Sequence, residues 1–162
     1  MFVAAVQTPR PSCINRIWSQ VVIAQAVPSG PDRKADTPRE VRLQIPHGFP
    51  AALARRAARA ALRAWNLADR VDDVLLVTSE LVQNVTQHTT DGGELRLTLL
   101  GDGIRVEVID TNPEVPVLRG HDPRSLGGRG LRIVAAVARS WGFRPLTWAG
   151  RDGKVVWVEL SL

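Results

Sequence analysis

Cysteine is almost missing from the sequence. Cys13 stands alone, so no intramolecular disulfide framework exists and a reducing cytoplasm is the natural compartment. Lysine is scarce as well: Lys34 and Lys154 are the only lysines among 21 basic residues. The net charge of +5 is therefore carried by dispersed arginine rather than by a lysine-rich cluster, and direct nucleic-acid binding is not expected. Long apolar runs are absent too. The stretch from Val21 to Val27 is broken by Gln25, is far too short to span a bilayer, and lacks the layout of a signal peptide. No membrane association is expected, and the chain reads as cytoplasmic. His47, His88 and His121 are the only histidines, and with no cysteine cluster a site for a nitrogen- or sulfur-bound metal is not expected. Neither Ser79 nor Ser125 lies in a nucleophile elbow, which sets a serine hydrolase aside.

What is present suits one soluble domain. The 162 residues are 44% hydrophobic and 23% charged, enough to bury a real core. Residues 1–38 read as a flexible extension broken by Pro9, Pro11, Pro28, Pro31 and Pro38. A short helix over residues 14–27 is the alternative there, with Ile17, Val21 and Ala24 on one face. The folded part begins near Arg39, where Val41, Leu43 and Ile45 alternate as in a half-buried strand. "FPAALARRAARAALRAW" follows as an alanine-rich helix with Leu53, Ala57, Ala60 and Ala61 inward. Its opposite stripe of Arg55, Arg59 and Arg63 reads as a solvated face, or else a dock for an acidic partner. A second helix runs from about Ala68 to His88. "GELRLTLLGDGIRVEVID" gives two alternating strands around Gly101-Asp102-Gly103, and "FRPLTWAGRDGKVVWVEL" gives two more around Arg151-Asp152-Gly153. The order of elements predicts one antiparallel or mixed sheet covered by helices on one side.

Three stretches carry chemistry. In "GGRGLRIVAAVARSWG", Gly127, Gly128 and Gly130 permit close backbone approach to a ligand. Leu131, Val134, Ala135 and Ala138 then recur at helical spacing, with Trp141-Gly142 as the expected stop. Orphan N–H groups and the dipole at that helix start favour an anion such as phosphate, and Arg129 and Arg132 add charge. In "VTSELVQNVTQHTT", Glu80, Asn84 and His88 form one stripe beside the apolar stripe Val74, Val77, Leu81 and Val85. An oxygen-bearing pair of this kind suits Mg²⁺ and a nearby hydroxyl; a solvated helix face is the plainer alternative. Asp110 ends a strand and opens into "TNPEVP", where it can form an Asx turn or accept from an exocyclic amine.

Taken in order, "SELVQNVTQH", "VEVIDTNPEVP", "GGRGLRIVAAVARSWG" and "GKVVWVEL" resemble the GHKL (Bergerat-fold) ATPase superfamily. Within it they are most similar to the anti-sigma-factor type serine/threonine kinases and their small actinobacterial relatives. The resemblance covers residues 39–162. It implies an α/β, or α+β, two-layer sandwich whose mixed, mostly antiparallel sheet has helices on one face, with ATP between the helices and a lid at about residues 111–126. It implies that Glu80 polarises the attacking hydroxyl, that Asn84 holds Mg²⁺ and that Asp110 bonds the adenine amino group. Gly128, Arg129, Gly130 and Leu131 would face the phosphates.

The implied activity is phosphoryl transfer from ATP to a serine or threonine of an anti-anti-sigma protein, in exchange with a sigma factor as second partner. Related kinases often dimerise, which makes a homodimer the assembly to test. A non-catalytic, ATP-gated binding module is the alternative. A histidine kinase is disfavoured because a 38-residue extension has no room for a helical phosphoacceptor domain. Two positions depart from the family pattern: Asn112, where many members carry glycine, and Val155, where a threonine near the adenine is common. At Val155 the lost hydrogen bond would be worth about 1 kcal/mol.

Overall fold

The computed structural model describes residues 21–24, 39–67, 71–116, 130–148 and 150–162. Within them the order is β1 (Val21–Ala24), β2 (Glu40–Ile45), α1 (Ala51–Ala64), α2 (Val71–His88), β3 (Gly93–Leu99), β4 (Gly103–Asp110), α3 (Gly130–Val137), β5 (Ser140–Trp148) and β6 (Arg151–Ser161). The strands form one six-stranded sheet in the order β1-β2-β3-β4-β6-β5, and every neighbouring pair is antiparallel. The expected two-layer α/β sandwich is thus observed, with a wholly antiparallel sheet among the described strands.

Directly paired residues share a face, so the register writes the core as rows. One row runs Val41, Leu97, Val106, Val158, Trp141; the next runs Leu43, Leu95, Val108, Val156, Phe143. The first four residues of each row are buried under the helices. A third row ends the apolar face with Ile45, Gly93, Asp110 and Lys154. Each fully buried aliphatic side chain in these rows contributes about 1.5–3 kcal/mol, and a one-residue slip would turn all of them to the opposite face.

Helix α2 packs on this face through Val74, Val77, Leu81 and Val85, all essentially inaccessible. Helix α1 lies beside it and buries Ala54, Ala57, Ala58, Ala61 and Leu62. Ala60, expected to face inward, is exposed, and Leu53 is only partly buried; the buried stripe is one position round from the expected one. Arg55, Arg59 and Arg63 do face solvent. Helix α1 ends in a Schellman motif: the N–H of Leu67 donates to the carbonyl of Leu62 (2.8 Å) and that of Asn66 to Arg63 (3.1 Å). Asn66 takes the left-handed φ of 62° that this stop requires.

Three local expectations are corrected. Residues 21–24 are a strand rather than part of a helix: consecutive Val21, Val22 and Ile23 favour extended backbone, and Val21 pairs with Leu43 at the sheet edge. The other residues of the expected N-terminal extension lie outside the described residues. Trp141-Gly142 does not stop a helix. Helix α3 ends at Val137, the Arg139 N–H already donates to Glu159 on β6 (2.8 Å), and Trp141 continues an apolar row. Gly142 sits against the Trp157 ring, where a Cβ would come within 2.8 Å. The last hairpin turns between Trp148 and Arg151, not at Arg151-Asp152-Gly153, because Trp148 and Arg151 pair. Gly150, with φ of 76°, supplies the backbone that a two-residue turn needs.

The sheet face opposite the helices carries a polar network. Arg105 donates to Glu159 through Nε (3.1 Å) and through Nη2, and stacks over Trp157 at 5.5 Å. Ser140 donates to the second Glu159 oxygen at 2.9 Å. The hydrogen bond from Arg105, with that from Ser140, holds the Glu159 carboxyl below the usual carboxylate range against the opposing effect of burial. An unfolded chain therefore binds a proton in a pH window where the native chain does not, so stability falls as pH drops through the native value. Chemical denaturation at stepped pH should show this acid-side slope. Glu159→Gln should flatten it and cost about 1 kcal/mol at neutral pH.

Candidate functional site

The end of the apolar rows opens into a cavity of about 260 Å³ between α2, α3, β4, β6 and the chain after β4. Its walls are apolar at Leu81, Val108, Leu131 and Val156 and polar at Asn84, Asp110 and Lys154, a mixture suited to a flat base with few polar contacts. Glu114, Val115 and Pro116 form part of its mouth on the lid side, with Val115 more than half exposed. The rest of the expected lid, residues 117–126, lies outside the described residues.

Helix α2 turns Asn84 to the cavity and Glu80 to the start of α3 because the neighbouring apolar stripe is locked in the core. Asn84 is half-buried and lines the cavity. Glu80, one turn earlier, is also half-buried, and its carboxylate lies against Gly130 at the start of α3: a Cβ at Gly130 would stand 2.6 Å from Glu80 Oε2. A larger residue at 130 would therefore displace the Glu80 carboxylate from the start of α3. Gly130 and Leu131 both line the cavity, so the first turn of α3 faces it. Gly128 and Arg129 lie outside the described residues. His88 reaches the rim, and Arg132 is exposed.

Asp110 is 5% exposed, and the structure gives it the Asx-turn role. Its Oδ1 accepts the N–H of Asn112 at 2.9 Å, and Asn112 Oδ1 in turn accepts the N–H of Glu114 at 2.9 Å. The Asn112 side-chain amide donates to the carbonyl of His88 at 3.4 Å, tying this loop to the end of α2. Asn66 is the only non-glycine residue with positive φ among those described, so the backbone at 112 does not ask for glycine. Asn112 is a fastener of the loop.

Lys154 is the residue that sequence reasoning missed. It is 8% exposed, and its Nζ donates to Asp110 Oδ1 at 2.9 Å and to the Asn112 carbonyl at 2.7 Å. The pair is directly opposed across β4 and β6. Lys154, Val156, Val158 and Leu160 share the helix-covered face, whereas Val155 pairs with Ile109 on the other. The expected loss of a base contact at Val155 is therefore corrected, since Val155 does not line the cavity and its neighbour does. Strict alternation in "KVVWVEL" signals that Lys154 shares the face of Val156; only the register with β4 names its partner.

A family model described as the histidine kinase-like ATPase domain matches residues 50–159. The chain belongs to this family. No curated protein matches the chain. A GHKL-type ATPase domain implies ATP binding, and the cavity presents a buried carboxylate at Asp110, an amide at Asn84 and the helix start at Gly130. Asn84 is also the cavity residue that could ligate Mg²⁺, a hard cation that takes oxygen donors and keeps water and phosphate oxygens as its other ligands. Among the described residues no helix is long and apolar enough to cross a membrane.

For this ATPase domain, Val155→Thr should leave ATP affinity within about twofold of wild type in calorimetric titration. The same change at Val156, on the cavity wall, should alter it. Each substitution buries a hydroxyl and should cost about 1–3 kcal/mol of stability unless the new group finds a partner.

Proposed function

We propose that the chain is an ATP- and Mg²⁺-dependent serine/threonine protein kinase of the anti-sigma-factor type. It would phosphorylate an anti-anti-sigma protein and thereby control the exchange of a sigma factor between partners. The observation that carries this reading is the convergence of α2 and α3: Asn84, Gly130 and Asp110 line one cavity, and the Glu80 carboxylate lies beside the start of α3.

In the proposed reaction Asp110 accepts from the exocyclic amine of adenine, and the apolar walls exclude water from the base. The first turn of α3, with Gly128 and Arg129 before it, receives the phosphates through backbone N–H groups. Asn84 would hold Mg²⁺, which would supply neutralisation of phosphate charge. Glu80 takes the proton of the partner's serine or threonine hydroxyl as its oxygen attacks the γ-phosphorus; the bond from that phosphorus to the β–γ bridging oxygen breaks, and ADP leaves. Positioning and charge neutralisation carry the rate, and no phosphoryl-enzyme is formed.

Asn84→Ala should weaken ATP binding in Mg²⁺ by about 10–100-fold while leaving the weaker Mg²⁺-free binding nearly unchanged. Glu80→Gln should bind ATP within about threefold of wild type and lose at least about a hundredfold in transfer of labelled γ-phosphate to an anti-anti-sigma protein of the same genome. Wild-type ATP binding with no transfer to any such protein, and partner binding insensitive to Glu80→Gln, would replace the kinase with a non-catalytic, ATP-gated binding module.

A further inference from the structure

Asp110 is paired before any nucleotide arrives. An ammonium group has three N–H donors. Two of those on Lys154 are directed to Asp110 Oδ1 and to the Asn112 carbonyl, and among the described residues the third has no protein acceptor. Asp110 Oδ1 accepts from both Lys154 and the Asn112 backbone, while among the described residues Oδ2 accepts from no protein donor. Both side chains line the cavity. Its wall thus presents a donor and an acceptor side by side, on a lysine held almost wholly out of water. An isolated buried charge would be strongly penalised; the pair is neutral as a unit, which is what allows it to stand on the wall of a base-sized cavity.

Adenine offers the complement of that couple along one edge. Ring N1 accepts, and the adjacent exocyclic amine donates. We infer that Lys154 is a base-recognition residue: its free N–H donates to N1 of adenine while Asp110 Oδ2 accepts from the exocyclic amine. The inference rests on the ATP reading above and deepens it. A lysine contact to N1 stands in the cavity where Val155, on the opposite face of the sheet, offers nothing, so base recognition does not depend on a hydroxyl in β6. The alternatives are that Lys154 only neutralises Asp110 and fastens the loop through Asn112, or that it obstructs the carboxylate and must leave before adenine enters.

The test is a cycle of two nucleotides and two proteins, read by calorimetric titration of the full chain in Mg²⁺. 1-Deaza-ATP has a C–H in place of N1 and keeps the exocyclic amine. Wild type should bind it about tenfold more weakly than ATP, the loss expected for one hydrogen bond from a charged donor. Lys154→Met should bind ATP about tenfold more weakly than wild type and should no longer distinguish the two nucleotides. Equal binding of the two by wild type would overturn the inference, as would equal losses for both on Lys154→Met, or tighter ATP binding by that variant. Thermal unfolding checks that Lys154→Met is folded. If it is not, the wild-type comparison decides alone, with Lys154→Gln, which keeps a donor, expected to retain part of the discrimination. Failure of wild type to bind ATP at all would instead defeat the nucleotide reading itself.

Discussion

The register between β4 and β6 is the constraint on which the rest of the molecule depends. Four pairs, Ile104 with Leu160, Val106 with Val158, Val108 with Val156 and Asp110 with Lys154, place three apolar couples and one charged couple on the face beneath the helices. The apolar couples fix the register because a slip by one residue would carry Val156, Val158 and Leu160 out of the core. Once they are fixed, Lys154 has no other place than opposite Asp110. The ion pair is a consequence of packing rather than its cause. As a buried pair it contributes little net stability, but removing one partner would leave a buried charge uncompensated. The hydrophobic rows thus enforce polar chemistry at the open end of the sheet.

Helix α2 repeats this division of labour. One stripe, Val74, Val77, Leu81 and Val85, is locked in the core, which sets the rotation of the helix and directs Asn84 to the cavity. The same rotation brings Glu80 against Gly130, so a side chain at 130 would push the Glu80 carboxylate from the place where α2 and α3 meet. The loop after β4 is fastened at its root by successive Asx turns and by Asn112 to the end of α2. The polar groups that line the cavity therefore sit on rigid elements, and the loop after β4 starts from a fixed point. Preorganisation of this kind is what phosphoryl transfer asks of a protein, since little else than position and charge remains to be supplied.

Much of this was legible in the sequence. Alternation in "VRLQI" and "GIRVEVID" and the 3.6-residue period of "VTSELVQNV" located strands, helix and polar stripe, because each pattern is a local response to one buried face. Asp110, Asn84, Gly130 and Leu131 were all candidates and all reach one cavity. What was missed depends on partners distant in sequence. Trp141-Gly142 looks like a helix stop until β6 supplies the neighbour that makes it a strand, and Gly150 outcompetes Arg151-Asp152-Gly153 only because the Trp148–Arg151 pairing demands its φ. Residues 21–24 became a strand because β2 offered an edge. Lys154 was passed over for Val155 because alternation assigns a side chain to a face but does not say which face holds the ligand.

The most direct measurement is a crystal structure of the full chain with Mg²⁺ and a non-hydrolysable ATP analogue. The expected result has adenine between Val108, Leu131 and Val156 with its amine on Asp110, the phosphates at the first turn of α3, and Mg²⁺ on Asn84. A nucleotide bound elsewhere, or an Asp110 carboxylate turned away from the base with the phosphates off α3, would contradict the assignment of this cavity as the ATP site.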